Sequence, residues 1–465
     1  MQLSETTFRR FRGRGRVAAV VAVACAALSS VRCADPDAGA STDNAARPGG
    51  PSVLLLVMDT VRADRCSING YARPTTPRLA AFAQDAVVYR NAYVPGGWTG
   101  PTHVSLFTGL RPEHHGFYFG NRLYLTDEAH TLAEALTAGG WSTAAFSGNA
   151  VITPEFGMGQ GFSRFVSKEL FEPPYPRTDD GHAMAFAFME SVRRRGRPFF
   201  VFINDFQPHV PYAPPEPFAS RFVDPDAPTA MVSRERGLDA ARSIRYLFDS
   251  TAIPPANLKV RSDLYDAEIA SVDDSIGNLL DRMQAAGLLE DTIVIVTSDH
   301  GEHFGERGYV EHVGSLFRPI LHVPLVVRVP GQLDGGTVVE SPVRLEDVFP
   351  TILEACGVPV PSPIDGESLL SLDPDRPRVA RALYGRQTLR SLRLGLPDLP
   401  LERFERVLRS VIDGRWHLVR ATDDDELLFE HLFDIQNDPL EATDIAAQHS
   451  DVVARLRAML PEMPR

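Results

Sequence analysis

Cysteine is scarce in this chain: there are four in 465 residues, Cys25, Cys33, Cys66 and Cys356. Only Cys66 and Cys356 lie beyond the first 33 residues. Two are too few for a disulfide scaffold or a cysteine-built zinc site, and the sequence leaves open whether they pair with each other in an oxidising compartment. Basic excess is lacking as well. Lys and Arg number 47 against 60 Asp and Glu, a formal net charge of -13. No surplus of cations is available to displace counterions, which excludes nucleic acid as a partner. An anionic substrate must then rely on local cations or a metal, because the global field repels it. No internal repeat is evident. The apolar run Val17 to Leu28 is too short to span a bilayer comfortably.

What stands at the N-terminus is a leader. Arg9, Arg10, Arg12, Arg14 and Arg16 precede that apolar run, and small residues follow to Ser30. A basic region, a short apolar region and small residues together read as a signal peptide over 1–33. Export follows, to a bacterial periplasm, to an outer-membrane-attached lipoprotein form, or into the medium. Cys33 and Cys25 are candidates for a lipid-modified first residue that would tether the protein to a membrane. Arg32 is a poor neighbour for such processing at the first, and the second sits deep in the apolar run. Removing 1–33 takes away six Arg and one Glu, which brings the net charge near -18. Residues 34–50 are small, polar and Pro/Gly-bearing, a flexible tether.

The remaining length is enough for one large α/β domain, expected over 51–380, and a smaller lobe over 381–465. The organising stretch of the first is Thr292 to Glu306, TIVIVTSDHGEHFGE. Its branched aliphatics predict a strand buried on both faces, and they break into Ser298-Asp299-His300-Gly301. In open α/β sheets, sites form beyond the carboxyl ends of strands. An Asp and a His there can offer an oxygen and an imidazole nitrogen to one divalent cation. Val53 to Met58 is a second apolar strand, and it ends at Asp59 in the same manner. Between them, Trp98-Thr99-Gly100-Pro101-Thr102-His103 leads a glycine-loose loop into a short helix. That suits a hydroxyl presented at a helix N-terminus, either as a simple cap or as a nucleophile. A Thr needs a base or a metal for activation, since its own pKa is far too high.

Phe199 to Asn204 predicts another buried strand, leading into Asp205-Phe206-Gln207-Pro208-His209-Val210-Pro211, where flanking prolines stiffen a loop that carries His209. Residues 213–260 read as an irregular, partly helical insertion or lid. Asp263 to Ala286 has the apolar spacing of a long amphipathic helix, stopped by Gly287. Helix followed at once by strand is the rhythm of a doubly wound, mostly parallel sheet. Gly157 to Phe165 reads as glycine-rich loop, and Leu321 to Pro330 as one further strand. From about residue 380 the pattern changes to strands in hairpins and a closing helix over 450–460, a small α+β subdomain with an antiparallel sheet.

Asp59, Thr99, Asp299 and His300 thus form a candidate site of oxygens and one imidazole. This donor set favours Zn²⁺ or Mn²⁺ over Ca²⁺. His103, His209 and His312 are candidates to donate to non-bridging oxygens or to protonate a leaving group.

Five stretches resemble the sulfatase branch of the alkaline phosphatase superfamily, in the family's order and from about residue 52 to 455. They are LLLVMDTVRADRCSINGY, WTGPTHVSLFTGLRPEHHG, NDFQPHVPY, VTSDHGEHFGERG and LFDIQNDPLEATDIA. The resemblance implies Asp59, Thr99, Asp299 and His300 as metal site and nucleophile, with His209 and His312 around the transferred anion. Departures shift the expected chemistry. Thr99 stands where sulfatases carry the Cys or Ser that becomes formylglycine, Thr60 replaces a second carboxylate, His300 replaces an amide, and His312 a Lys. These changes resemble the relatives that use an unmodified Thr with zinc, phosphodiesterases and phosphoethanolamine transferases. The transferases carry several membrane helices that this sequence lacks, which favours hydrolysis. The expectation is an exported metal-dependent hydrolase of phosphate mono- or diesters or phosphonates. Its substrate would be a small anionic ester, an anionic glycan or a lipid headgroup. The alternatives are a sulfuric ester hydrolase without formylglycine, and a catalytically inactive relative that binds an anionic glycan.

Overall fold

The computed structural model describes residues 49–462 apart from 168–177, 238–239, 374–375, 377, 388, 390–397 and 425. The leader and residues 34–48 of the tether lie outside the described residues.

In chain order the strands are β1 (Ser52–Met58), β2 (Val87–Tyr89), β3 (Ala92–Tyr93), β4 (Ser142–Ser147), β5 (Arg164–Val166), β6 (Phe199–Asp205) and β7 (Thr292–Thr297). Then come β8 (His303–Phe304), β9 (Val310–Glu311), β10 (His322–Val323), β11 (Leu325–Arg328), β12 (Val338–Val339) and β13 (Val343–Arg344). The last four are β14 (Val379–Tyr384), β15 (Val407–Asp413), β16 (Trp416–Asp423) and β17 (Glu426–Asp434). One sheet has eight strands in the order β12-β2-β11-β7-β1-β6-β4-β5. β1 lies at its centre, parallel to both β6 and β7. β11 runs antiparallel to β7 and β2. The fold is a doubly wound, mostly parallel α/β sheet, joined by a separate antiparallel sheet β14-β15-β16-β17 near the C-terminus.

Why the central strands are apolar throughout is plain from their two faces. Val53, Leu55 and Val57 enter one core with Val104 and Phe107 of the helix Thr99–Thr108 and Ile352 of the helix Val348–Ala355. Leu54, Leu56 and Met58 enter the other with Leu264, Val272 and Ile276 of the helix Pro255–Ala285. Alternate side chains of a strand point to opposite faces, and here both faces are covered. Because β1, β4, β6 and β7 are parallel, their carboxyl ends open on one edge. No helix among the described residues is long and apolar enough to cross a membrane.

Several elements differ from the sequence expectation. The stretch Leu321 to Pro330 is two strands rather than one. Pro324 divides it, so that β10 pairs with β3 in a small sheet and β11 enters the main one. The loop 157–165 runs into the short edge strand β5. The long helix begins at Pro255, eight positions before Asp263, because a proline is tolerated in the first turn. Residues 213–260 hold the helices Phe218–Phe222, Thr229–Arg236 and Ala240–Phe248. Cys66 and Cys356 are both free and buried.

Candidate active site

Two strand ends and one helix start meet at the carboxyl edge of the sheet. Asp59 follows β1, Asp299 and His300 follow β7, and Thr99 is the first residue of the helix Thr99–Thr108. Asp59, Asp299 and His300 each offer a ligand atom, and these atoms lie within 4.8 Å of one another, all buried. The Thr99 hydroxyl is 3.3 Å from His300 Nε2.

Each carboxylate is held by one oxygen and leaves the other without a hydrogen bond. Asp59 Oδ2 accepts from Asn149 Nδ2 at 2.7 Å and from Asn204 Nδ2 at 3.1 Å, while Oδ1 is buried without a hydrogen-bond partner. Asp299 Oδ1 accepts from the backbone N–H of Thr60 at 3.1 Å and of His300 at 3.0 Å, and Oδ2 is the unpartnered atom. His300 Nδ1 donates to the Gly301 carbonyl at 3.0 Å, which assigns the lone pair to Nε2. Buried carboxylate oxygens without partners are costly, and a cation between them removes that cost. The residues therefore fit a divalent ion.

The electrostatics agree. Burial, then the charge of Asp59, pushes the Asp299 carboxyl up to about 7. Burial, then the neighbouring His312, pulls His300 down to about 3, so its ring is neutral and competent to ligate. Two backbone details set the geometry. Thr60 holds φ at 63°, left-handed and strained for a β-branched residue, and this aims its N–H at Asp299. A Cβ at Gly301 would lie 2.0 Å from the Pro319 carbonyl oxygen, so only glycine permits the turn beyond His300.

His312 and His209 stand above this cluster. The His312 ring lies 4.5 Å from that of His300 and 5.0 Å from that of His209, centroid to centroid. Burial disfavours a charged His312, but Glu302, whose Oε1 is 2.9 Å from its Nδ1, overrides this and raises it to about 9. Glu302 also accepts from the Tyr212 hydroxyl at 2.7 Å. His209 donates from Nδ1 to the Val210 carbonyl and stacks on Phe206. His103 is placed differently. It is fully buried, its Nδ1 hydrogen is engaged by the Thr99 carbonyl at 2.9 Å, and its ring packs edge-on to Phe107 and Phe202. It supports the first turn of the helix from beneath, with Nδ1 3.6 Å from Asp299 Oδ2.

Sequence reasoning did not single out Asn149, Asn204, Glu302 or Tyr212. Asn149 and Asn204 each fall at a strand exit, and that position is the one signal that would have found them.

The model of the sulfatase family matches residues 51–358, about two thirds of the chain, and a model described as N-sulphoglucosamine sulphohydrolase, C-terminal, matches 305–465. The fold and site define a hydrolase of the alkaline phosphatase superfamily with a candidate divalent-metal site. Within it, the chain belongs to the sulfatase family. It is 25% identical over 452 residues to an ulvan-active sulfatase of Formosa agariphila, covering 90% of this chain and 82% of that protein. It is also 25% identical over 397 residues to the multifunctional alkaline phosphatase superfamily protein PehA of Trinickia caryophylli, covering 69% and 76%. The phosphonate monoester hydrolase of Agrobacterium radiobacter shares the fold, with a TM-score of 0.67 at 22% identity over 88% of this chain and 96% of that one.

Proposed function

We propose that the protein hydrolyses phosphate mono- or diesters or phosphonates, with Thr99 as an unmodified nucleophile. The observation that carries this is the Thr99 hydroxyl at 3.3 Å from His300 Nε2, beside two carboxylate oxygens that lack partners. A Zn²⁺ or Mn²⁺ ion held by Asp59, Asp299, His300 and Thr99 would supply a Lewis acid and lower the pKa of the hydroxyl. Thr99 Oγ1, its proton released to solvent on activation, would attack phosphorus in line, the P–O bond to the leaving group would break, and a phospho-Thr would form. His312, hydrogen-bonded through Nδ1 to Glu302, would donate a proton from Nε2 to the departing oxygen and recover it from the water of the second step. A water cleaves the phospho-Thr and returns the hydroxyl. His209, beside His312, binds the non-bridging oxygens.

The resemblance to an ulvan-active sulfatase along most of the chain favours a second reading, sulfate ester hydrolysis at the same residues. A matched panel of aryl phosphate, phosphodiester, phosphonate and sulfate esters separates the two by relative kcat/KM. In Thr99→Ala, activity on the preferred ester should fall by about three orders of magnitude or more. Unchanged metal-dependent turnover in that variant would sink the nucleophile assignment. Chelation should abolish activity, with Zn²⁺ or Mn²⁺ restoring it better than Ca²⁺. A protein that folds, lacks metal by elemental analysis and turns over none of the panel would instead be a binder of anionic glycans. Export rests on the leader, and N-terminal sequencing of the mature protein tests processing near residue 33.

A further inference from the structure

A cavity of about 370 Å³ opens between the β8–β9 hairpin region and the C-terminal sheet. Its walls include Arg307, Tyr309, Phe317, Arg403, Arg406 and Phe429, and it shares no residue with the catalytic cluster. Three guanidinium groups converge there. Among the described residues, none of them makes a salt bridge to a carboxylate.

Their environment leaves cationic donors free. Each guanidinium is stacked on an aromatic face: Arg403 on Tyr309 at 4.0 Å, Arg307 on Phe317 at 4.6 Å, and Arg406 on Phe429 at 4.8 Å from ring centroids. Stacking occupies the plane of a guanidinium and leaves its edge of N–H donors directed outward. Arg406 is 9% exposed, donates to the Tyr309 hydroxyl, and keeps Nε buried without a partner. Arg307 donates from Nη1 to the Glu441 carbonyl at 2.8 Å, and its Nε is likewise unpartnered. Burial, and then the nearby charge of Arg403, lowers the pKa of Arg406, a cost that an anion would relieve. Arg307 is also held at a φ of 52°, between Gly305 and Gly308, a strained conformation that presents its side chain to this cavity. At the rim, His431 is bound to Asp444 at 2.7 Å, so that carboxylate is already engaged.

We propose that this cavity is a second anion-binding site, which takes a sulfate, phosphate or carboxylate group on the edges of Arg307, Arg403 and Arg406. The occupant is either a second anionic group on an extended substrate or a free anion. In both cases it bears on the hairpin that lies between Glu302 and His312, since Tyr309 stacks on His303 at 5.3 Å.

Equilibrium dialysis of the full chain against labelled inorganic phosphate, at fixed ionic strength, tests this. Wild type should bind one more phosphate per chain than Arg406→Gln, whatever the catalytic cluster binds. If the proposed esterase reading fails, the counts fall to one and zero but the difference persists. Arg403→Gln, at a partly exposed side chain, carries the same test should Arg406→Gln not fold. Hydrogen exchange places the site. Phosphate should slow exchange in 303–317 and 401–408 in wild type and not in the variants. Equal stoichiometry in all three proteins, or protection confined to 96–108, overturns the proposal. Calorimetry with a multiply sulfated disaccharide then identifies the source. Affinity lower by about tenfold in Arg403→Gln, the loss expected for one charge-assisted hydrogen bond, marks a substrate group, and unchanged affinity marks a free anion.

Discussion

At the scale of single residues, the candidate ligand carboxylates are only as good as the groups that orient them. Asp59 can direct Oδ1 into the cluster because Asn149 and Asn204 hold Oδ2. Removal of such supporting donors typically lowers metal affinity by about 10- to 100-fold. Asn149→Ala and Asn204→Ala should each show a loss of this size in chelator competition, with unchanged far-UV circular dichroism. The candidate ligands were legible in the sequence only as a set: an Asp or an Asp-His after an apolar run is by itself an ordinary polar exit, and it was the recurrence at two strand ends that pointed to a shared cation. The two asparagines were not. An amide at a strand exit is common, and what makes these two matter is that β4 and β6 lie side by side next to β1, a fact of sheet order rather than of local sequence. Glu302 was hidden for a similar reason: its partners His312 and Tyr212 are 10 and 90 positions away.

Among the elements, the turn after β1 and the turn after β8 are joined by one buried arginine. Arg62, fully buried, pairs with Asp64 at 2.7 Å and Glu306 at 2.6 Å, and donates to the Glu302 carbonyl. Burial alone would raise both acids, but Arg62 overrides it, setting Asp64 at about 2 and Glu306 well below the usual carboxylate range. Depressed folded-state values stabilise the fold above the ordinary carboxylate pKa of about 4, and that contribution is lost as pH falls from there towards 2. Arg62→Gln leaves two acids without their partner and should cost about 3 kcal/mol at pH 7. It should also flatten the acid side of a stability profile, both read by urea unfolding from pH 7 to 3. Element boundaries show what sequence patterns miss. Strands β1, β6 and β7 were legible as apolar runs, whereas β5 has three residues with an exposed Arg164 and carries no such pattern. Pro255 looks like a breaker until its place in the first turn is known.

For the molecule as a whole, the question is how a small antiparallel sheet bears on a site it does not form. Edge strand β14 answers part of it. Leu383 donates its backbone N–H to the Pro95 carbonyl at 3.0 Å, beside the loop that delivers Thr99. Glu441 supplies a buried polar link, beside the apolar core that Ile412, Val419 and Phe433 share with the parallel sheet. It is fully buried, accepts from the Arg318 backbone N–H at 2.8 Å, pairs with His417 of β16, and offers its carbonyl to Arg307. One side chain thus ties the C-terminal sheet to the segment that follows His312. Interfaces between lobes separate unless they are large or specifically pinned. With this pin in place, the two parts should unfold in one transition. In Glu441→Ala, His417 and the Arg318 N–H lose a buried acceptor, and stability should fall by about 3 kcal/mol or more. Calorimetry should then resolve two transitions, the first accompanied by loss of activity, because the approach to Thr99 is released before the parallel sheet melts. A single transition, merely shifted to lower temperature, would mean that the apolar core shared by the two parts, through Ile412, Val419 and Phe433, holds the lobes together without this pin.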